Sequence, residues 1–312
     1  MFNSAFSIAM FPSTSLTKLC SCAAIACVSL TISVSVHAAD KAPEKKSSGG
    51  GGKHCLWRIT NAKAPVYLLG SIHALRSSDY PLPGIFEQVI AQSNVFYFEI
   101  DPDRMEDYHS RLEHNSRLPH GVEIKDRVHP QTWNYLKSTA RGGNFDWVHL
   151  KAWAIAHYVL DYPIHDTMST AFGVDNYIVK KAAARNCPMR GLESSEAHAQ
   201  IWTGMSDIES EAYLLEAIVF ADHRESEVRD MIAAWRSGNT TRLAEIDDPT
   251  VREAPGLPAR FLASRNARWI PVIENAIKSG KPTLIVAGAA HFSGSQSVLG
   301  MLRARGYQID QL

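Results

Sequence analysis

The chain has 312 residues, and 32 Lys plus Arg balance 32 Asp plus Glu for a formal net charge of zero. Nucleic-acid binding needs a clustered positive field. No basic run supplies one here, so nucleic acid is excluded as the expected partner. After Val36 no segment is apolar enough to span a bilayer.

In chain order, Lys18 supplies a positive charge ahead of an apolar, small-residue run from Leu19 to Val36. Val36-His37-Ala38 or His37-Ala38-Ala39 then resembles a signal-peptidase site. Residues 1–39 therefore read as a secretory signal peptide, with Met10 an alternative start, and the expected location is periplasmic or secreted. The competing reading is an uncleaved anchor, but the run is barely long enough and is rich in Ser and Thr. Residues 40–54 are Lys-, Ser- and Gly-rich, cannot build a core, and read as a flexible linker. Residues 55–312 remain as one large domain with a mostly helical insertion at about 103–186. Cys55 and Cys187 are the two cysteines of this part. In an oxidising compartment they suit either one disulfide or two separate buried thiols.

Leu56–Thr60 and Val66–Leu69 flank a turn-rich stretch and read as a hairpin. A helix opens at Pro81-Leu82-Pro83 and runs to about Gln92, with Ile85, Phe86, Val89 and Ile90 on one face. Val95–Asp101 is a buried strand carrying Glu99 and Asp101, stopped by Pro102. Helices are expected at Trp133–Ala140, Val148–Leu160 and Val174–Asn186, with a loop at Arg141–Asn144. Pro188–Leu192 is a short strand ending at Glu193. Further helices span Ser195–Arg236, broken near Gly204, and about Pro258–Ser279. The strand Leu284–Ala287, a helix Ser297–Arg305 and a strand Tyr307–Ile309 complete the chain. Strands cluster at both ends and helices fill the middle. The ends must therefore pair to complete one sheet, which predicts a mixed α/β fold flanked by helices.

Two of these strands end alike. Val66-Tyr67-Leu68-Leu69-Gly70-Ser71-Ile72-His73 and Leu284-Ile285-Val286-Ala287-Gly288-Ala289-Ala290-His291 each run from apolar residues into Gly-x-x-His. Gly70 and Gly288 allow a sharp turn or a close approach. His73 and His291 then fall at the rim of the sheet, where open α/β folds bind ligands. A third copy, Gly51-Gly52-Lys53-His54, has no strand before it and is accidental.

His73, Glu99, Glu193 and His291 share one position type, a polar residue at or just past the end of an apolar strand. Imidazoles with carboxylates are what a divalent transition metal prefers, so the four residues could assemble a metal site from distant segments. A metal there would polarise a carbonyl and activate water, with a spare carboxylate as general base. Each residue also has a plainer reading. Glu99 could form a structural ion pair with Arg265 or Arg58, and Glu193 could open a helix at Glu193-Ser194-Ser195-Glu196. Asp101 suits a cap or turn before Pro102. His109, His114, His120 and His129 read as surface residues, and His149, His157 and His165 as packed among aromatics. Ser71 lacks the flanking glycines of a nucleophile elbow.

An ordered set of short pieces resembles the TraB/GumN family, which includes the Tiki proteins. The pieces are Leu56-Trp57-Arg58-Ile59, the first Gly-x-x-His unit, Tyr80-Pro81-Leu82-Pro83, Phe98-Glu99-Ile100-Asp101 and Gly191-Leu192-Glu193. Ser264-Arg265-Asn266, Val286-Ala287-Gly288-Ala289-Ala290-His291-Phe292-Ser293-Gly294 and Gly306-Tyr307 follow. The resemblance covers Cys55 to Leu312, and the secretion signal fits the GumN-like bacterial branch. It implies an α/β core in which two Gly-x-x-His turns and acidic residues converge. Tiki relatives are regarded as metal-dependent proteases favouring manganese or cobalt, with zinc a further candidate on ligand chemistry. GumN-like members are associated with exopolysaccharide clusters. Carried onto this sequence, the resemblance makes His73, Glu99 and His291 the leading metal ligands. It places Glu99, Glu193, Arg265 and Asn266 in the catalytic set. The chain departs from the family at Ser297 and Ala290, where relatives often have Gly, and at His198, where they commonly have Gln. That last change offers an imidazole that could join the site.

The expected function is a metal-dependent hydrolase cleaving a peptide or protein substrate. The alternatives are a non-catalytic peptide- or oligosaccharide-binding protein and an accessory factor in polysaccharide assembly. No nucleotide-sugar motif is present, which argues against a glycosyltransferase.

Overall fold

The computed structural model describes residues 52–139, 146–161, 168–246, 254 and 256–312. The signal-peptide and most of the linker readings, and the expected loop at Arg141–Asn144, lie outside these residues.

Eight strands are present among the described residues: β1 (Leu56–Ile59), β2 (Val66–Ser71), β3 (Leu75–Arg76), β4 (Val95–Ile100), β5 (Met168–Ser169), β6 (Met189–Glu193), β7 (Thr283–Gly288) and β8 (Ile309–Gln311). The α-helices are α1 (Gly84–Gln92), α2 (Met105–Asn115), α3 (Pro130–Thr139), α4 (Ala152–Asp161), α5 (Val174–Ala184), α6 (Ser195–Thr203), α7 (Asp207–Arg236), α8 (Thr240–Ile246), α9 (Ser264–Lys278) and α10 (Val298–Arg303).

Six strands form one mixed sheet in the order β6-β4-β7-β2-β1-β8. As the apolar runs require, strands from both ends of the chain are neighbours. β2 lies parallel to β7, with Val66 opposite Thr283 and Ser71 opposite Gly288. β4 runs parallel to β7 on its other side and to β6 beyond. β1 is antiparallel to both β2 and β8. Every residue of β2 is buried, and so are the first five of β7. Full burial of an aliphatic side chain contributes roughly 1.5–3 kcal/mol, so these two strands anchor the fold.

A small apolar cluster joins Ala212 of α7 to Ala254 and Leu257, and two main cores share the same helix. The larger gathers the sheet with α1, α5, α9, α10 and the C-terminal part of α7, including Val228, Ile232 and Trp235. The smaller joins α3 and α4 to the N-terminal part of α7 through Leu214, Ala217 and Ile218. Among the described residues no helix is long and apolar enough to cross a membrane.

The structure shifts several boundaries. α1 starts at Gly84 rather than Pro81. Trp147–His149 is a 3-10 turn ahead of α4. The helical break falls at Gly204, where Ser206 caps α7 by accepting from Glu209 N. The final strand is Ile309–Gln311 instead of Tyr307–Ile309, because β1 pairs Trp57 with Gln311. A two-stranded ribbon of β3 and β5 and the helix α8 add to the expected elements.

The bridge that the sequence allows between Cys55 and Cys187 is not formed, and both are free thiols. Cys55 leads into β1 and Cys187 precedes β6, which stand four strand positions apart in the sheet. At about 4.8 Å per position, that separation far exceeds the Cα reach of a disulfide.

Candidate functional site

All four parallel strands β2, β7, β4 and β6 end on one side of the sheet, and the polar residues gather there. The backbone pairing of β4 with β7 stops at Tyr97 opposite Ile285. Beyond that point Glu99 closes the gap, because its Oε1 accepts the Gly288 N–H at 2.8 Å. Glu193 ends β6 and lies almost fully buried. A five-residue π turn, Ala259–Ala263, precedes α9 and sets Arg265 and Asn266 into the interior. Such turns often mark functional positions.

Arg265 is the hub. Its Nη2 donates to Glu99 Oε2 at 2.5 Å and to Glu193 Oε1 at 2.6 Å, while Nε donates to Glu193 Oε1 at 2.9 Å. Nη1 donates to the Phe261 carbonyl at 3.1 Å and meets His291 Nε2 at 3.0 Å. Nη2 also lies 3.1 Å from His198 Nδ1. The guanidinium carbon stacks over Trp269, 4.7 Å from the ring centre.

Burial alone would raise the Glu99 carboxyl. The Arg265 charge, helped by the nearby imidazoles, overcomes this and holds it well below the usual carboxylate range. Glu193 behaves alike: burial opposes ionisation, and His198 and Arg265 more than offset it. Both carboxylates are ionised at neutral pH.

The two signature histidines occupy opposite environments. His291 is buried in the turn after β7. Its Nδ1 lies 2.6 Å from Asn266 Oδ1, and Asn266 Nδ2 donates to the Gln296 carbonyl. That second bond assigns the amide orientation, so His291 Nδ1 carries the hydrogen and Nε2 is the lone pair facing Arg265. Burial pushes its pKa down to about 3, which keeps the ring neutral. His73 is instead exposed at the mouth, with 64 % of its side chain accessible. Its Nδ1 donates to Asp175 Oδ2 at 2.9 Å, and the Asp175 charge raises its pKa to about 9. Ser71 Oγ donates to the other Asp175 oxygen at 2.6 Å, so this hydroxyl serves to hold the carboxylate.

His73 Nε2 and His291 Nε2 lie 3.8 and 3.9 Å from the two oxygens of Glu99. The strand ends thus bring His73, Glu99, Glu193, Arg265, Asn266 and His291 into one cluster. Gly288 sits at its centre, where a Cβ would lie 3.3 Å from both Glu99 Oε1 and His73 Nε2. Gly70 serves packing: a Cβ there would press on Ala289 at 3.1 Å.

Sequence reasoning missed Asp175. It lies in the first turn of α5, where an acidic residue simply complements the helix dipole. The signal was weak but real in its neighbour. A Cβ on Gly173 would stand 2.1 Å from the His73 carbonyl, so this glycine is what lets α5 approach the turn. Asp101 caps the turn after β4 as expected, accepting from Asp103 N.

The donor chemistry fits a divalent transition metal. Glu99, Glu193 and His198 each offer a ligand atom within 4.8 Å of the others. This group differs from the expected His73, Glu99 and His291. Glu193 Oε2 is buried without a hydrogen-bond partner among the described residues, and Arg268 Nη2 stands 3.9 Å from it. A buried carboxylate oxygen left so is costly unless a cation or donor joins it.

A sequence model of the TraB/PrgY/gumN family matches residues 55–311. The chain is also 21 % identical over 270 residues to an uncharacterized protein of Treponema pallidum (strain Nichols), covering 80 % of each chain. No solved structure matches. The family match spans the whole sheet and every residue of the cluster, and the chain belongs to the TraB/PrgY/gumN family.

Proposed function

We propose that the protein is a metal-dependent hydrolase that cleaves peptide bonds in a peptide or protein substrate. The observation that carries this reading is the convergence of Glu99 and Glu193, at the carboxyl ends of parallel strands, with His198 of α6, one carboxylate oxygen accepting no hydrogen bond among the described residues. These three residues would hold the ion; manganese, cobalt and zinc suit such ligands. A divalent cation there supplies Lewis acidity and a more acidic bound water.

The remaining chemistry belongs to the chain's own groups. The carboxylate oxygens not taken by the ion supply the general base. Arg265 stabilises negative charge through its fork of N–H groups. His73, held by Asp175 and protonated near neutral pH, presents Nε2–H at the open mouth to a leaving amine. Burial keeps His291 neutral, and Asn266 turns its lone pair inward. The apolar N-terminal run supports action outside the cytoplasm, after removal of residues 1–39.

A second reading has its own support. Arg265 already neutralises much of the acidic cluster, as expected where the cluster only shapes a cleft for a peptide or oligosaccharide. Elemental analysis of the purified protein and a quenched-fluorescence peptide panel separate the two. The hydrolase reading expects bound transition metal and cleavage that Glu193→Gln abolishes. Peptide or oligosaccharide binding without metal and without cleavage would establish the second.

A further inference from the structure

Resting on the metal reading above, we propose that Arg265 is a built-in competitor for the ion. In the metal-free protein its guanidinium holds the ligand set closed, and metal binding displaces it.

The argument begins with shared atoms. Arg265 lies within 2.5 to 3.1 Å of Glu99 Oε2, Glu193 Oε1, His198 Nδ1 and His291 Nε2. A carboxylate oxygen has two lone pairs and can serve two partners. An imidazole nitrogen has one. His198 Nδ1 lies 3.1 Å from Arg265 Nη2 and 2.8 Å from Glu193 Oε1, so a lone pair on that nitrogen cannot accept from Arg265 and bind an ion together. A divalent cation beside a buried guanidinium is also repelled strongly, since screening is weak in the interior.

Charge explains why the competitor is needed. Without Arg265, two ionised carboxylates would lie buried side by side, an arrangement that burial and repulsion both oppose. Arg265 divides its fork between both carboxylates, and Glu193 Oε2 accepts no hydrogen bond among the described residues, with Arg268 Nη2 standing off at 3.9 Å. The closed state is therefore stable but unsaturated, which leaves room for a doubly charged ion to win. Arg265 also has partners that make no demand on the ligand atoms, namely the Phe261 carbonyl of the π turn and the Trp269 face. These can retain it once it leaves the carboxylates.

The test is calorimetric titration of the metal-free full chain with Mn²⁺, Co²⁺ and Zn²⁺, for wild type, Arg265→Gln and Arg265→Lys. The proposal expects Arg265→Gln to bind the preferred ion about tenfold tighter or more, while its metal-free form melts lower and regains stability on loading. Arg265→Lys, which keeps the charge but not the fork, is expected to fold like wild type and bind with intermediate affinity. In wild type, the Arg265 Nε–H resonance, assigned by its loss in Arg265→Lys, should shift on metal addition. Equal or weaker binding by both variants overturns the proposal while leaving a metal site standing, because Arg265 would then be organising the ligands. Metal bound by the variants and not by wild type supports it. Failure of all three proteins to bind any ion removes the metal reading itself, and this proposal with it.

Discussion

The two Gly-x-x-His turns share a spelling and a sheet position, yet they do opposite things. The first ends β2 and releases His73 into solvent, where Asp175 binds it and favours the charged ring. The second ends β7 and folds His291 under α9, where Asn266 and Arg265 bind it and burial favours the neutral ring. The difference comes from what packs against each turn. α5 meets the first with a carboxylate, and α9 meets the second with an amide and a guanidinium. A motif thus fixes where an imidazole stands, and its neighbours fix which form of the ring is present.

The sharpest way to break this contrast is to delete each ring. His291→Ala leaves a cavity and strips Asn266 Oδ1 of its donor, and should cost about 2–4 kcal/mol in chemical denaturation. His73→Ala should cost less than His291→Ala, because solvent screens its exposed ion pair with Asp175, yet lose turnover in the peptide assay. Equal destabilisation by both would remove the distinction.

Next in size is a titration. In metal-free protein, histidine resonances followed by NMR should place His73 near pH 9 and keep His291 neutral down to about pH 3. The linkage signs are opposite. His73 contributes stability that is complete below its unfolded pKa of about 6.5 and is lost as pH rises through about 9. His291 contributes stability that is complete above that unfolded value and is lost as pH falls towards about 3. Asp175→Asn removes the main cause of the upward shift and should bring His73 back towards an ordinary imidazole; an unchanged titration would deny Asp175 its role.

The smallest effect is steric. Gly288→Ala places a methyl 3.3 Å from Glu99 Oε1 and His73 Nε2, tighter than ordinary contact. It should weaken metal binding several-fold in calorimetry while the melting temperature stays close to wild type. A large loss of stability would mean that Gly288 is needed for the fold itself.

Much of this arrangement was readable in the chain because it depends on apolar runs. Val66–Leu69 and Leu284–Ala287 had to be buried strands, and burying both in one sheet brought their histidines together. Glu99 beside Arg265 was readable as an ion pair because a carboxylate after four apolar residues needs a cation. Asp175 was not readable, since an acidic residue in a first helical turn looks the same whether it serves the dipole or a distant ring. Nor were the C-terminal end of the last strand and α8. Asp310 and Gln311 hide a strand whose purpose is pairing, with the Gln311 amide donating to the His54 and Gly238 carbonyls. α8 buries only Leu243, so its sequence carries no apolar stripe.

The helix α7 runs for 30 residues, a rod of about 45 Å. Its first half belongs to the outer helices and its second half to the sheet, and near its end Trp235 Nε1 donates to the Gly70 carbonyl at 2.7 Å. Ile208, Leu215 and Val219 face solvent on its outer half, so one helix joins an exposed apolar face to the strand whose end carries His73.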